Sequence, residues 1–119
     1  MRGDEKRVVE AFRTYLLSEG WSVRTEVDHI DVVATRGDHH LYAEAKGRTG
    51  RNGPLDVDTM YGQLLRRMSQ DEVGLSSFAV VVPEEMARAA TRVPARVRGL
   101  LNIQIYAVSD TNDVRHIES

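Results

Sequence analysis

A tight hairpin over residues 30–46 (IDVVATRGDHHLYAEAK) constrains the fold of this chain more than any other feature of its sequence. Residues 30–35 and 41–46 are short runs of apolar and β-branched residues, which is typical of strands. Between them, Gly37-Asp38 suits the positive backbone angles of a two-residue hairpin loop. The sequence therefore predicts two antiparallel strands joined by a tight turn.

The register of this hairpin follows from counting back from the turn. Arg36 then faces His39, and Asp31 lies directly opposite Glu44. The same count pairs apolar residues with one another on the other face: Ile30 with Ala45, Val32 with Ala43, and Ala34 with Leu41. A shift of one residue would mix the two faces, so the pattern favours this register.

Asp31 and Glu44 would form a pair of facing carboxylates, with Cβ atoms roughly 4.5–5.5 Å apart. Such carboxylates repel each other, so a folded protein keeps them together only with a cation, a shared proton or solvent between them. Oxygen ligands of this kind suit Mg²⁺ or Mn²⁺. The alternative is an ordinary solvated strand face, on which these residues and Lys46 are surface charges.

Lys46 lies two residues beyond Glu44 and therefore on the same face of the strand. Its ammonium could orient or deprotonate the water that attacks a phosphodiester. Of the sixteen basic residues, fourteen are arginine, and Lys6 and Lys46 are the two lysines. Arginine stays protonated in proteins, whereas lysine can be tuned, so this bias is suggestive of a special role for Lys46.

The length and composition predict one soluble globular domain. The chain has 119 residues, of which 41% are hydrophobic and 29% are charged. It has no cysteine, which excludes disulfides, zinc–thiolate sites and cysteine nucleophiles. No apolar stretch approaches the roughly 20 residues of a membrane span, and the start of the chain lacks the apolar segment of a secretion signal. We therefore expect a cytoplasmic protein without membrane association.

The remaining elements follow from hydrophobic periodicity and from residues that begin or end helices. We expect a mixed α/β fold with the order α-β-β-β-α-β-α-β, in which helices cover both faces of a mixed sheet. The predicted elements are a helix at 4–19, a strand at 21–27 that completes a three-stranded meander, a glycine- and arginine-rich loop at 47–54, a helix from Asp58 to about Asp71, a buried strand at 78–82, short helices at 84–91 and 95–101, a strand at 102–108 and an edge strand at 114–117.

The hairpin residues Asp31, Glu44 and Lys46, together with this element order, resemble the PD-(D/E)xK nuclease superfamily. This is the restriction-endonuclease-like fold of restriction enzymes, archaeal Holliday-junction resolvases and Mrr-like nucleases. The resemblance covers residues 4–108 and implies that 1–119 is a single nuclease-like domain. One departure is Ile30, which stands where the name-giving pattern has proline.

The resemblance also implies further site residues. Many members place a glutamate in the first helix as an additional metal or water ligand, which matches Glu10 and, less well, Glu5. Several branches carry a glutamine in the helix after the Glu-x-Lys strand, which matches Gln63. The carbonyl of Ala45 is an expected further ligand. The alternative for Glu10 and Gln63 is a solvated position on the surface of a helix.

Basic residues near the predicted site are candidates for contacts with nucleic acid, because the arginine fork fits phosphate oxygens. The candidates are Arg48, Arg51, Arg66, Arg67 and His29, the last of which would pair opposite Lys46. The net charge of −2 neither supports nor rejects such contacts.

The expected activity is a Mg²⁺- or Mn²⁺-dependent endonuclease that hydrolyses phosphodiester bonds, with DNA as the expected substrate and RNA left open. Since one small domain offers one active site, a homodimer is a plausible way to cut both strands. The alternatives are a nuclease-like domain that binds nucleic acid or a protein without cutting, and a subunit whose specificity comes from a protein partner.

Overall fold

The sheet and its covering helices are seen in a computed structural model that describes residues 3–48, 53–68 and 76–118. The elements are α1 (Gly3–Ser18), β1 (Ser22–Val27), β2 (Ile30–Arg36), β3 (His39–Ala45), α2 (Gly53–Arg67), β4 (Ser76–Pro83), a 3₁₀ turn (Glu84–Met86), α3 (Ala87–Ala90), α4 (Ala95–Leu101), β5 (Ile103–Val108) and β6 (Val114–Ile117). No helix in these ranges is long and apolar enough to cross a membrane.

One six-stranded sheet contains all six strands, in the order β1-β2-β3-β4-β5-β6. The first three strands form an antiparallel meander, as predicted. Strands β3, β4 and β5 are parallel to one another, and β6 returns antiparallel to β5. The helix α2 connects β3 to β4, which is the crossover that a parallel pair of strands requires.

The register of the β2–β3 hairpin is the predicted one. Arg36 pairs with His39, and the count continues along both strands through Ala34–Leu41 and Val32–Ala43. Gly37 supplies a positive φ of 62° in the two-residue turn. The apolar and charged faces of the hairpin are therefore separated as expected.

The β1–β2 hairpin has a second two-residue turn, made by Asp28 and His29. Val27 pairs with Ile30, and the two turn residues have positive φ values of 51° and 68°. His29 thus lies in the turn and β3 ends at Ala45, so the expected pairing of His29 with Lys46 is wrong. The physical reason is that Asp and His tolerate the left-handed region that such a turn demands.

The core face of the sheet under α1 is formed by alternate residues of β2, β3, β4 and β5. Val8, Phe12 and Leu16 of the helix are almost completely buried against it. The strand residues in this cluster are Val32, Ala34, Leu41, Ala43, Ala45, Ala79, Val81, Tyr106 and Val108. Small residues on β3 let the helix approach the sheet closely, which fixes α1 on the face opposite to the charged side of the hairpin.

The other face packs against α2 and the short helices. Val57, Met60, Tyr61 and Leu64 form the buried stripe of α2. Every residue of β4 is buried, which confirms a strand covered on both faces. The second cluster also includes Phe78, Val80, Val82, Met86, Ala90, Ile103, Ile105, Ala107 and Ile117.

Several predicted boundaries differ from the observed ones by one or two residues, as at both ends of α1 and at the start of β4, and the start of α2 differs most. The helix α2 begins at Gly53, five residues before the expected cap at Asp58, because Pro54 is compatible with a first helical turn and Asp56 favours the positive end of the helix dipole. Asn102 ends α4 with a left-handed φ of 58°, so β5 starts one residue later than expected. The predicted end of α2 near Asp71 lies outside the described residues.

Candidate active site

Asp31 and Glu44 meet at the end of the β2–β3 hairpin that lies away from its turn. The register that pairs Val32 with Ala43 places the two carboxylates across from each other when it is continued by one residue. The Asp31 Oδ2 accepts a 2.8 Å hydrogen bond from the Ala45 N–H, and the Asp31 N–H donates to the Glu44 Oε2 at 3.4 Å. Each carboxylate is thus positioned by the backbone of the other strand.

Glu44 is a buried carboxylate on the α2 face of the sheet, with an exposed fraction of 3%. It pairs with Val80, a member of the core under α2, in the parallel ladder between β3 and β4. Burial raises the pKa of Glu44 to about 7, and the negative charge of Asp31 and a hydrogen bond between the two carboxyl groups add to this effect. A cation at this position would relieve the cost of charging Glu44.

Arg67, at the end of α2, supplies the positive charge that faces Glu44. Its Nε lies 3.6 Å from the Glu44 Oε1, and its Nη2 donates a 2.9 Å hydrogen bond to the His29 carbonyl. The Nε itself is buried and has no hydrogen-bond partner among the described residues. The predicted phosphate-binding residue Arg67 is therefore held inside the site by its own chain.

Lys46 continues β3 just past its last strand residue. Its N–H donates a 3.0 Å hydrogen bond to the Val81 carbonyl, so the backbone here is still fixed against β4. By strand alternation its side chain is on the same face as that of Glu44, and it is half-buried. Within the described ranges, the ammonium forms no ion pair or hydrogen bond.

The first turn of α1 closes over the end of β3 at Gly47. A Cβ atom at Gly47 would overlap the backbone nitrogen of Glu5, so the close approach requires glycine. Next to it, the N–H of Arg48 donates to Asp4, and its guanidinium forms ion pairs with Glu85 and Asp110. Arg48, expected to contact phosphate, is thus engaged by three elements of its own chain.

Glu10 does not join the two carboxylates. It is an exposed residue of α1 that forms a 3.7 Å ion pair with Arg13. The physical reason is that α1 packs on the sheet face carrying Ala43 and Ala45, whereas Glu44 points to the opposite face. The backbone of Glu5, the weaker candidate, lies nearer, at the end of β3.

The remaining predicted residues are placed as follows. Gln63 is exposed on α2, one helical turn before Arg67, and Arg66 is exposed beside it. Ala45 adjoins Glu44 in β3, and its N–H holds Asp31. Arg51 lies outside the described residues.

A cleft next to Asp31 contains acidic residues that the sequence analysis did not single out. Its volume is about 540 Å³, and it is lined by Glu26, Asp28, His29, Ile30 and Asp31. Counting back from the Asp28-His29 turn, as for the other hairpin, places Glu26 across from Asp31. The φ of Glu26 is 55°, and the ladder between β1 and β2 skips this residue.

The donor set fits a hard divalent cation through two carboxylates. Within the part of the chain that the structure describes, no group of three or more His, Cys, Asp or Glu side chains has the geometry to hold a metal. Mg²⁺ characteristically takes one or two protein carboxylates and completes its shell with water and substrate phosphate. Asp31 and Glu44 would hold such an ion, and the raised pKa of Glu44 is the unfavourable charging that the ion would offset.

The mixed sheet with helices on both faces and a charged hairpin end is a restriction-endonuclease-like α/β fold. Two solved structures share it: an XisH family protein from Nostoc punctiforme PCC 73102 (13% identity, TM-score 0.64, covering 93% of this chain and 98% of that one) and an fdxN element excision controlling factor protein from Anabaena variabilis (14% identity, TM-score 0.65, covering 94% and 98%). No protein-family model matches the chain, and no curated protein matches it. These likenesses confirm the predicted fold class.

Proposed function

We propose that this chain is a metal-dependent nuclease that hydrolyses phosphodiester bonds in DNA. The observation that carries the proposal is the buried Glu44 carboxylate facing Asp31 at the end of the hairpin, with Lys46 on the same strand face. A buried carboxylate beside a second carboxylate destabilises a folded protein, since the two charges repel. Such a pair is therefore expected where it has a function, such as binding a cation. The restriction-endonuclease-like fold supports the same activity by analogy.

In the proposed reaction, Asp31 and Glu44 would hold a divalent cation, Mg²⁺ or Mn²⁺. When bound, the ion supplies Lewis-acid polarisation of the scissile phosphate and lowers the pKa of a bound water. Lys46 orients the attacking water, or takes its proton, and offsets charge that develops on the phosphorane. Arg66, which is exposed and without an ion-pair partner in the described ranges, provides a contact to the nucleic-acid backbone.

A second candidate is a nuclease-like domain that acts only with a partner. The observations in its favour are that Arg67 already balances Glu44 and that Glu10 brings no third carboxylate. The Anabaena variabilis structure is named as a controlling factor for excision, which fits a subunit of a larger DNA-processing system. Strong cutting only in the presence of another protein would distinguish this candidate.

The test is cleavage of end-labelled single-stranded, duplex, flap and four-way-junction DNA with Mg²⁺ or Mn²⁺. We expect Asp31→Asn and Lys46→Ala to lower the cleavage rate by at least about 100-fold, the size typical of a lost metal ligand or proton-transfer group. The matched controls are Asp38→Asn, at the opposite end of the same hairpin, and Lys6→Ala, the other lysine, and both should cut like the intact chain. Equal rates in all five proteins would contradict the proposed site.

A further inference from the structure

We propose that Arg67 is an internal counter-cation that occupies the neighbourhood of the metal in the ion-free protein and is displaced when the metal binds. The inference rests on the proposed function, because it assigns a role to a residue of the same site. It goes further by coupling metal binding to a movement of the end of α2. The guanidinium so released would then be free to contact the phosphate of the substrate.

The first support is the contact with Glu44. The Arg67 Nε is 3.6 Å from the Glu44 Oε1, a distance that gives charge attraction without a hydrogen bond. The side chain of Glu44 is only 4% exposed, so the attraction acts in a region from which water is largely excluded. A guanidinium at this distance attracts the negative charge of Glu44.

The second support is the unsatisfied nitrogen. A buried N–H without a partner destabilises a folded protein, so its presence calls for a reason. In Arg67 the Nε is buried and has no hydrogen-bond partner within residues 3–48, 53–68 and 76–118, while the Nη2 donates to the His29 carbonyl in the β1–β2 turn. The guanidinium is therefore hydrogen-bonded through Nη2, whereas its Nε makes only the charge contact with Glu44 among the described residues. Moving Arg67 away from Glu44 would break no hydrogen bond of the Nε.

The third support is that the metal ion and the Arg67 guanidinium are both positively charged. A divalent cation between Asp31 and Glu44 would lie within a few ångströms of the guanidinium, and two positive charges at that separation repel strongly in a partly buried site. Binding of the ion therefore favours a state in which Arg67 has left Glu44. Because such coupling is reciprocal, Arg67 lowers the affinity of the site for the ion by the same factor by which the bound ion weakens the contact between Arg67 and Glu44.

The test measures Mn²⁺ affinity directly, by isothermal titration and by the loss of the free-ion electron paramagnetic resonance signal, without DNA. We expect Arg67→Gln to bind Mn²⁺ on the order of tenfold more tightly than the intact chain. Arg67→Lys, which keeps the charge, should stay close to the intact affinity. Arg88→Gln removes the same charge from an exposed position on α3 and should leave the affinity unchanged.

An increase in affinity is diagnostic, because damage to the fold would lower it. If Arg67→Gln binds Mn²⁺ as well as or more weakly than the intact chain, the counter-cation role is overturned while the metal site of the proposed function stands. If neither protein binds Mn²⁺ at millimolar concentration, and Asp31→Asn changes nothing, the metal site itself fails and this inference fails with it.

A second readout follows the Arg67 side chain itself. In the ion-free protein the buried Nε–H should exchange slowly with solvent and give its own signal in a ¹⁵N correlation spectrum. Addition of Mg²⁺, which is diamagnetic, should shift that signal and speed its exchange if the guanidinium leaves Glu44. A signal that stays unchanged at saturating Mg²⁺ would show that Arg67 remains in place and would overturn the inference.

Discussion

At the scale of single residues, Glu44 is the most deeply buried charged side chain among the described residues. It is almost fully buried, faces Asp31 and has one arginine near it. These surroundings raise its pKa from 4.5 to about 7, so the folded chain binds a proton here more tightly than the unfolded chain does. The protonated form therefore stabilises the fold.

The sign of this shift gives a prediction for the metal-free protein. The stabilisation is fully present below about pH 4.5 and is lost as the pH rises through about 7. It amounts to roughly 3–4 kcal/mol at most, for a shift from 4.5 to about 7 at roughly 1.4 kcal/mol per pH unit. Urea unfolding in EDTA from pH 4.5 to pH 8 should show this loss in the intact chain.

Glu44→Gln is the matched control, because glutamine keeps the shape and cannot ionise. Its stability should lack the Glu44 contribution to the pH dependence and should exceed that of the intact chain at pH 8. Asp4 and Glu84 have lowered pKa values, so their contributions have the opposite sign, but they are common to both proteins and cancel in the difference. Parallel pH profiles for the two proteins would contradict the placement of Glu44.

At the scale of elements, the contact between the start of α1 and the end of β3 holds the site together. Gly47→Ala would push a methyl group into the backbone of Glu5 and should destabilise the fold by about 1–3 kcal/mol or more. Gly62→Ala is the control within α2, where none of the residues that the structure describes lies within 4 Å of the added Cβ atom.

Gly62→Ala should instead raise the free energy of unfolding, because alanine is more stable than glycine in a helix by about 0.5–1 kcal/mol. Urea unfolding of both variants measures the difference. Two variants that are equally stable would show that α1 does not seat on Gly47 as described.

The hairpin could be predicted from the sequence because its turn chemistry and its two-residue alternation are local. The register then followed by counting, which is why Asp31 and Glu44 were paired correctly across two strands. The start of α2 was missed because residues 47–54 carry almost no apolar periodicity. The helix itself begins with Gly53 and Pro54, which are rare in helix interiors and give no periodic signal.

The failures at the site concern contacts between elements. Periodicity identifies the buried stripe of α1 but not the sheet face that it covers, so Glu10 was expected on the wrong side. Arg67 was recognised as a basic residue near the site, yet its contact with Glu44 depends on the distance between α2 and β3. Such distances are set by packing of the whole core.

At the scale of the whole molecule, the net charge of −2 limits how the protein can attract DNA. Of the arginines near the site, Arg48 is engaged by Glu85 and Asp110, and Arg67 by Glu44. We therefore expect few phosphate contacts, on the order of two to four. The slope of log affinity against log salt should then lie between about −2 and −4.

Fluorescence anisotropy of labelled duplex DNA between 50 and 200 mM salt, in EDTA to prevent cleavage, measures this slope. Arg66→Gln should make it shallower by about one, the loss of one phosphate contact. A slope steeper than about −6 would show a much larger basic surface than one copy of the described chain presents.

The left-handed φ of Glu26 affects whether copies of this protein can associate through the β1 edge of the sheet at high concentration. β1 is an edge strand, and a regular, extended edge invites another chain to add a strand to the sheet. The irregular backbone at Glu26 breaks the row of outward-facing amides and carbonyls, and the exposed charges of Arg24 and Glu26 disfavour a new neighbour. The same residue that borders the acidic cleft thus protects the sheet from uncontrolled growth into aggregates.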